Sequence, residues 1–166
     1  MKKVISFVLV IASLTSFAQN IQTEINDQVW KPFIASFNPL DTKAFMAVHS
    51  KDLIRSPRDS KVILNWDEYF KNQQESDQRS KKSGAKRVIE LRFTERISSS
   101  SQAIDIGIYK GTVSTNDGKS SSYSYYGRFH VILRKEGNSW KILVDTDSSE
   151  KNTIGEKDFL AALPIE

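Results

Sequence analysis

The sequence contains no cysteine. Without a thiol, the chain has no disulfide, no thiolate metal ligand, no lipid-modified cysteine and no cysteine nucleophile. Metal binding and catalysis would therefore depend on other side chains. The only histidines, His49 and His130, do not belong to a spaced set of metal ligands, so the sequence predicts no metal site and no cofactor.

Familiar catalytic motifs are also missing. The 166 residues contain no glycine-rich nucleotide loop, no Gly-x-Ser-x-Gly elbow, no zinc motif and no catalytic Ser–His–Asp spacing. These absences argue against common hydrolases and kinases. They leave open an enzyme that needs only one or two placed groups, so the sequence does not decide whether the protein is an enzyme.

Long apolar runs are scarce, and the clearest one lies near the first residue. Lys2 and Lys3 precede an apolar segment at 4–12, and Ser16 and Ala18 suit a cleavage site after Ala18. The run is far shorter than the roughly 20 residues that span a bilayer. The pattern predicts a cleaved signal peptide at 1–18, a periplasmic or secreted protein, and no membrane contact after cleavage.

Cleavage after Ala18 would leave 148 residues, enough for one domain at 19–166, and would lower the formal charge from +4 to +2. The remaining basic residues form two loose clusters interleaved with acids rather than with aromatic rings. We therefore expect solvated surfaces and no nucleic-acid partner. The clusters are Lys51, Arg55, Arg58 and Lys61, and Arg79, Lys81, Lys82, Lys86 and Arg87.

The first half of the predicted domain reads as helical. Apolar residues recur every four positions from Ile21 to Phe37, with Pro32 expected to kink this helix or restart it. Asp41 is expected to cap a short helix from about Thr42 to His49. Asn65 and Glu68 form a capping-box pattern for another helix that ends at Gly84. Its segment 71–83 is almost entirely polar and is predicted to lie on the surface.

The second half reads as strands. Alternating patterns at 88–93, 103–109, 123–135 and 140–145 predict four long strands, with hairpin turns at Asn116-Asp117-Gly118 and Gly137-Asn138. A C-terminal segment with Phe159, Leu160 and Leu163 is expected to pack back on the body. Helices followed by an antiparallel meander predict an α+β protein in which helices cover one face of the sheet.

The order of these elements resembles the nuclear transport factor 2-like superfamily, which includes SnoaL-like polyketide cyclases and many bacterial domains of unknown function. The resemblance covers nearly all of 19–166. It rests on the succession Phe37-Asn38-Pro39-Leu40-Asp41, Ala44-Phe45 and His49-Ser50-Lys51-Asp52, on 103–111, and above all on the hairpin from Tyr126 to Gly137 followed by Trp140-Lys141-Ile142 and Asp145.

The resemblance implies N-terminal helices packed on a strongly curved antiparallel sheet, which together form a cone with a cavity. It also implies a homodimer formed through the open face of the sheet. Members include ketosteroid isomerase, scytalone dehydratase and non-enzymatic binders, so the fold alone does not give the function.

Candidate site residues follow from strand faces and from the family picture. His130 is the first choice for acid–base chemistry because histidine titrates near neutrality, and Asp145 at the end of the last strand is the second. Asp147 is expected to be exposed. Tyr126, Arg128 and His130 share one strand face, but the sequence does not say which face meets the cavity. The candidate ligand-binding residues are His49, Asp52, Arg55, Trp66, Tyr69, Tyr109, Tyr126 and Arg128.

Three functions remain open at this level. The first is binding of a small, mostly apolar ligand in the cone cavity. The second is a lyase or isomerase of the polyketide-cyclase or ketosteroid-isomerase type, using His130 or Asp145 for proton transfer. The third is a dimeric interaction module without a ligand.

Overall fold

A computed structural model describes residues 20–115 and 121–166. The predicted signal peptide lies outside the described residues. Helix α1 comprises 20–25, a π-helical turn at Asn26–Trp30 and an α-helical segment at Lys31–Phe37. The other helices are α2 (Thr42–Ala47), α3 (Trp66–Ser83) and α4 (Glu156–Ala161). The strands are β1 (His49–Pro57), β2 (Lys86–Ser98), β3 (Gln102–Thr115), β4 (Ser121–Glu136), β5 (Ser139–Ser148) and β6 (Leu163–Pro164).

Helix α1 passes through Pro32 without a break. Proline cannot donate the backbone hydrogen bond that continues an α-helix, and its ring crowds the preceding turn. The turn before it is widened, so that the Lys31 N–H donates to the carbonyl of Asn26, five residues back. The predicted irregularity is therefore a π-turn rather than a restart.

The predicted caps are present. The Asp41 side chain accepts from the Ala44 N–H at 3.1 Å, although α2 ends two residues before His49 because that residue begins β1. At α3, Asn65 Oδ1 accepts from the Glu68 N–H at 3.0 Å while Glu68 Oε2 accepts from the Asn65 N–H at 2.8 Å. Gly84 then ends α3 with a φ of 68°.

The six described strands form one open sheet in the order β1-β5-β4-β3-β2-β6. Strands β2 to β5 form the predicted antiparallel meander, and β6 pairs antiparallel with β2. The predicted Asn116-Asp117-Gly118 turn lies outside the described residues, but β3 and β4 pair up to Thr115 and Ser121.

Strand β1 corrects the expectation of a purely antiparallel sheet, because it runs parallel to β5 and makes the sheet mixed. The two strands are far apart in sequence, so no hairpin constrains their relative direction. The pairing places Arg55 opposite Asp145. This register brings charged side chains of the two strands to one face.

The polar half of α3 lies mostly on the surface, as predicted, but two of its residues, Gln73 and Asp77, are buried. Asp77 is buried and accepts hydrogen bonds from Arg87 Nη2 at 2.6 Å, Thr42 Oγ1 at 2.6 Å and Gln73 Nε2 at 2.8 Å. Buried polar groups are tolerated when they are paired in this way. The hydrophobic pattern of the sequence could not reveal that Asp77 is buried, because Asp77 and its hydrogen-bond partners are all polar.

A second buried carboxylate attaches α1 to the sheet. Asp105 of β3 is fully buried, and it accepts from Trp30 Nε1 at 2.7 Å and from both Nε and Nη2 of Arg96, at 3.1 and 3.0 Å. Trp30 also packs edge-on against Phe93. These contacts fix α1 over the inner face of the sheet, where the main hydrophobic core lies.

The C-terminal segment packs back on the body, as predicted. Phe159 of α4 is buried and contacts Tyr126 of β4 at a ring-centroid distance of 6.1 Å, although Leu160 and Leu163 are exposed. Tyr126 points away from the core because its neighbour along the strand, Tyr125, faces inward. Helix α4 therefore covers part of the outer sheet face. No helix in the described residues has the length and apolarity needed to span a membrane.

Candidate functional site

A cavity of about 400 Å³ lies between α1, α3 and the inner face of the sheet. Most of its wall is aromatic or aliphatic, as in many small-molecule sites. This wall comprises Trp30, Phe33, Phe37, Phe45, Ile89, Leu91, Val113, Phe129, Val131 and Ile142.

Three aromatic–glycine contacts create room for this cavity on strands β3 and β4. Phe129 is paired with Gly107, Tyr109 with Gly127, and Tyr125 with Gly111. In each pair the ring occupies the space that a β-carbon on the glycine would need. The rings therefore lie across the neighbouring strand, and Tyr109, Tyr125 and Phe129 all line the cavity.

One end of the cavity is charged. Arg55 of β1 donates from Nη2 to Asp147 Oδ1 at 2.8 Å, and its Nε lies 3.4 Å from Asp145 Oδ2. The two carboxylates are two residues apart on β5, so both face inward beside Arg55. The Arg55 guanidinium also lies 5.2 Å from the ring centroid of Tyr69 on α3. One guanidinium is thus shared by two carboxylates.

His49 lies behind this charged end rather than in the cavity wall. It is buried, with Nδ1 3.0 Å from the carbonyl of Phe45 and Nε2 3.9 Å from Asp145 Oδ2. A carbonyl can only accept, so this contact assigns the proton to Nδ1. Nε2 then faces Asp145 without a hydrogen-bond partner in the described residues.

The two carboxylates beside Arg55 differ in acidity. Burial alone would raise the pKa of Asp145, but the Arg55 guanidinium and the neighbouring His49 together outweigh burial and hold that pKa below its usual value. For Asp147, the effect of burial is larger than that of the same guanidinium. The nearby Asp145 charge also favours the protonated form, so the pKa of Asp147 is raised. Asp147 is therefore the less well compensated charge.

The tyrosines at this end are neutral hydrogen-bonding groups. Burial raises the pKa of Tyr69, and burial together with the Asp147 carboxylate raises the pKa of Tyr109. Their hydroxyls can donate to or accept from a ligand.

The structure brings some of the predicted site residues together. Arg55, Tyr69, Tyr109 and Asp145 line the cavity. Asp147, which the sequence analysis expected to be exposed, is half-buried and lines it too. The spacing of Asp145 and Asp147 was the available signal, because residues two apart in a strand share a face.

Other predicted site residues lie elsewhere. Tyr126, Arg128 and His130 belong to the outer face of β4, opposite the cavity-lining Tyr125, Phe129 and Val131. His130 is exposed. Partial burial and the guanidiniums of Arg58 and Arg128 lower its pKa.

Asp52 and Trp66 also lie outside the cavity wall. Asp52 is exposed and accepts from Arg134 Nη2 at 2.6 Å. Trp66 stacks on Phe70 at a centroid distance of 5.3 Å, with Lys51 Nζ 2.9 Å above its ring. Within 20–115 and 121–166, no group of three or more histidine or acidic side chains is arranged to hold a metal ion.

The opposite pKa shifts of the two carboxylates predict opposite effects of neutralising them at pH 7. Asp147→Asn should raise the free energy of unfolding, because a raised pKa means that folding disfavours the ionised carboxylate. This gain should disappear as the pH falls through the raised pKa of Asp147. Asp145→Asn should lower the free energy of unfolding, because its lowered pKa means that folding favours the ionised form.

Urea unfolding of the two variants and the parent protein between pH 3 and 8 measures both effects. The Asp145 contribution should be present above its unfolded-state pKa and should be lost as the pH falls through its lower folded-state value. Shifts of the same sign for both variants at pH 7 would contradict this assignment.

No family model and no curated protein matches this chain. Solved structures do match it. A nuclear transport factor 2-like protein of unknown function from Shewanella oneidensis MR-1 is 19% identical, with a TM-score of 0.59 over 76% of this chain and 98% of that one. A conserved protein from Planctomyces limnophilus is 14% identical, with a TM-score of 0.67 over 78% and 96%.

A protein described as a candidate scytalone dehydratase, from Novosphingobium aromaticivorans, is 10% identical, with a TM-score of 0.61 over 80% of this chain and 86% of that one. At these identities the likeness concerns the fold. The solved structures thus confirm the resemblance drawn from the order of elements: this chain has the nuclear transport factor 2-like fold.

Proposed function

We propose that this protein binds a small, mostly apolar ligand in the cavity between α1, α3 and the sheet. The observation that carries the proposal is an inner wall of ten aromatic and aliphatic side chains with polar side chains along α3 and a charged group at one end, which is formed by Arg55, Asp145 and Asp147. Apolar area supplies affinity in such sites, and a few placed polar groups supply orientation.

The shape of the cavity supports a ligand that lies along α3. Tyr69, Gln73, Ser76 and Ser80 line it at successive helical turns, which corresponds to a length of ~16 Å at the rise of an α-helix. These polar side chains face the aromatic residues of α1. A ligand in this position would present its apolar side to the rings and its polar groups to α3 and β5.

Filling the cavity should abolish binding. Val113→Trp places a large ring at a cavity-lining position of β3 and should weaken binding of the neutral fluorescent probe N-phenyl-1-naphthylamine at least about tenfold, because it removes the apolar volume that the probe needs. Fluorescence titration measures the dissociation constant.

Val88→Trp is the matched control. Val88 is exposed on β2 and does not line the cavity, so the same substitution there should leave probe binding unchanged. Absence of saturable probe binding to the parent protein, or equal binding by both variants, would contradict the proposal.

A lyase or isomerase is the second candidate, and the raised pKa of Asp147 favours it. A carboxylate whose pKa is raised toward neutrality is a better proton acceptor than an ordinary one, and the Tyr69 and Tyr109 hydroxyls could donate to a developing oxyanion. In this candidate function Asp147 would act as the base in place of His130, which lies outside the cavity wall, and of Asp145, whose pKa is lowered. Recovery of a co-purified ligand unchanged after incubation would favour binding alone, and its conversion would favour the enzyme.

We also propose that the protein forms a homodimer through the outer face of the sheet. Five apolar residues lie side by side in one row across five neighbouring strands: Ile54, Val144, Ile132, Ile104 and Ile97. The four isoleucines are between 38% and 54% exposed, which is a large exposure for a continuous apolar row. A row that crosses the sheet can pack on a second copy of itself around a two-fold axis.

Ile132→Lys should convert a dimer into a monomer, because it places a charge in the middle of this row. Light scattering at increasing concentration should show twice the chain mass for the parent protein and the single-chain mass for the variant. Ile63→Lys is the control, since Ile63 is 74% exposed and lies outside the row. A monomeric parent at high concentration would refute the dimer.

Export is a further proposal, and it rests on residues 1–18 of the sequence. Expression of the full chain in a Gram-negative host should yield a periplasmic product that begins at Gln19, because signal peptidase selects small residues such as Ser16 and Ala18. Intact-mass spectrometry of the purified protein identifies its first residue. Recovery of a chain that still begins at Met1 from the cytoplasm would overturn the proposal.

A further inference from the structure

We infer that the cavity selects an apolar ligand that carries a protonated amine, with its ammonium group next to Asp147 and the rings of Tyr69 and Tyr109. The inference rests on the proposed binding function and names the chemical class of the ligand. It begins from the balance of charge along the cavity wall.

Two carboxylates and two arginines line the cavity, but one of the arginines is paired with a carboxylate outside the wall. Near the C-terminal end of α3, Arg87 Nη2 donates to Asp77 Oδ1 at 2.6 Å, and Asp77 does not line the cavity. At the opposite end, Arg55 is the single cation beside both Asp145 and Asp147. One negative charge is therefore left without a partner among the described residues that line the cavity.

That charge belongs to Asp147 rather than Asp145. Asp145 Oδ2 is already approached from two sides, by Arg55 Nε at 3.4 Å and by His49 Nε2 at 3.9 Å. Asp147 is bonded through Oδ1 alone, and its Oδ2 accepts no hydrogen bond from the described residues. Its side chain retains 30% exposure, against 12% for Asp145. Oδ2 of Asp147 is the acceptor that an incoming donor can reach.

Two phenol groups next to this carboxylate favour a cation over other hydrogen-bond donors. The Tyr69 ring already faces the Arg55 guanidinium, 5.2 Å from its centroid, so the contribution of Tyr69 to a ligand ammonium is its hydroxyl oxygen, which can accept a hydrogen bond. Tyr109 lies close enough to Asp147 for the carboxylate to contribute to the raised pKa of the phenol. Gly127 leaves room for the Tyr109 ring to lie across the strand. A carboxylate next to two phenol oxygens that can accept hydrogen bonds forms the kind of site that binds an ammonium group, which has three donors.

An anionic ligand is disfavoured by the same arrangement. Both arginines that line the cavity are already paired, Arg87 with Asp77 and Arg55 with Asp145 and Asp147. A ligand carboxylate would have to displace one of these partners or lie beside an uncompensated Asp147. Desolvating a like-charged pair is unfavourable.

Three probes of one shape but different charge test this inference. 1-Naphthylmethylamine is cationic, 1-naphthylmethanol is neutral and 1-naphthoate is anionic. Each displaces N-phenyl-1-naphthylamine at pH 8, where histidine side chains are ordinarily uncharged. We expect the amine to bind at least about tenfold more tightly than the alcohol, and the alcohol more tightly than the carboxylate.

Asp147→Asn should bring the amine and the alcohol to nearly equal affinity, because it removes the charge and keeps the shape. Asp52→Asn, at an exposed carboxylate outside the cavity, should keep the amine preference. A thermal melt of each variant checks that it folds. The ratio of amine to alcohol affinity in the parent protein tests the inference even if a variant does not fold.

The outcomes separate the inference from the function on which it rests. Equal binding of amine and alcohol by the parent protein would overturn the amine inference and leave cavity binding intact. An amine preference that persists in Asp147→Asn would overturn the assignment to Asp147. Absence of saturable binding by N-phenyl-1-naphthylamine and all three naphthyl probes would overturn the proposed function itself.

Discussion

The cavity depends on the packing of three aromatic rings over glycines of the neighbouring strand. In a sheet of ordinary residues, inward side chains stand up from the strands and fill the space beneath a covering helix. Here Tyr109, Tyr125 and Phe129 lie across Gly127, Gly111 and Gly107, because each glycine leaves the space that a β-carbon would occupy. Glycine in a strand costs roughly 0.5–1 kcal/mol relative to alanine, and aromatic coverage of the glycine offsets part of that cost.

Arg55 links this cavity to the topology of the sheet. It reaches Asp145 and Asp147 because β1 runs parallel to β5 with Arg55 opposite Asp145. A slip of one residue in this register would turn Arg55 to the outer face and leave two carboxylates without a cation on the inner face. The parallel edge strand therefore extends the sheet and also supplies the cation that reduces the repulsion between the two carboxylates.

Much of the fold could be predicted from the sequence because its signals are local. The Asn65–Glu68 capping box, the Asp41 cap, the Gly84 stop and the alternating strands each depend on a few neighbouring residues. Long-range pairing left weaker traces, so the β1–β5 pair and the buried Asp77 were missed. The choice between the two faces of β4 also depends on which face meets α1, and the strand pattern is silent on that choice. Glycines alternating with aromatic residues, as in Gly107-x-Tyr109-x-Gly111 and Tyr125-x-Gly127-x-Phe129, were the unused clue to the inner face.

Asp147 is a cavity-lining carboxylate whose charge lowers the stability of the fold. Its raised pKa means that the folded protein disfavours the ionised carboxylate, while Arg55 and His49 together lower the pKa of Asp145 two residues away. A ligand cation would neutralise Asp147 without disturbing Asp145, and binding to the folded state alone would stabilise the protein in proportion to the logarithm of ligand concentration. Under the proposed function, a ligand cation would balance the charge of Asp147, and the apolar wall would supply the affinity that a surface carboxylate would lack.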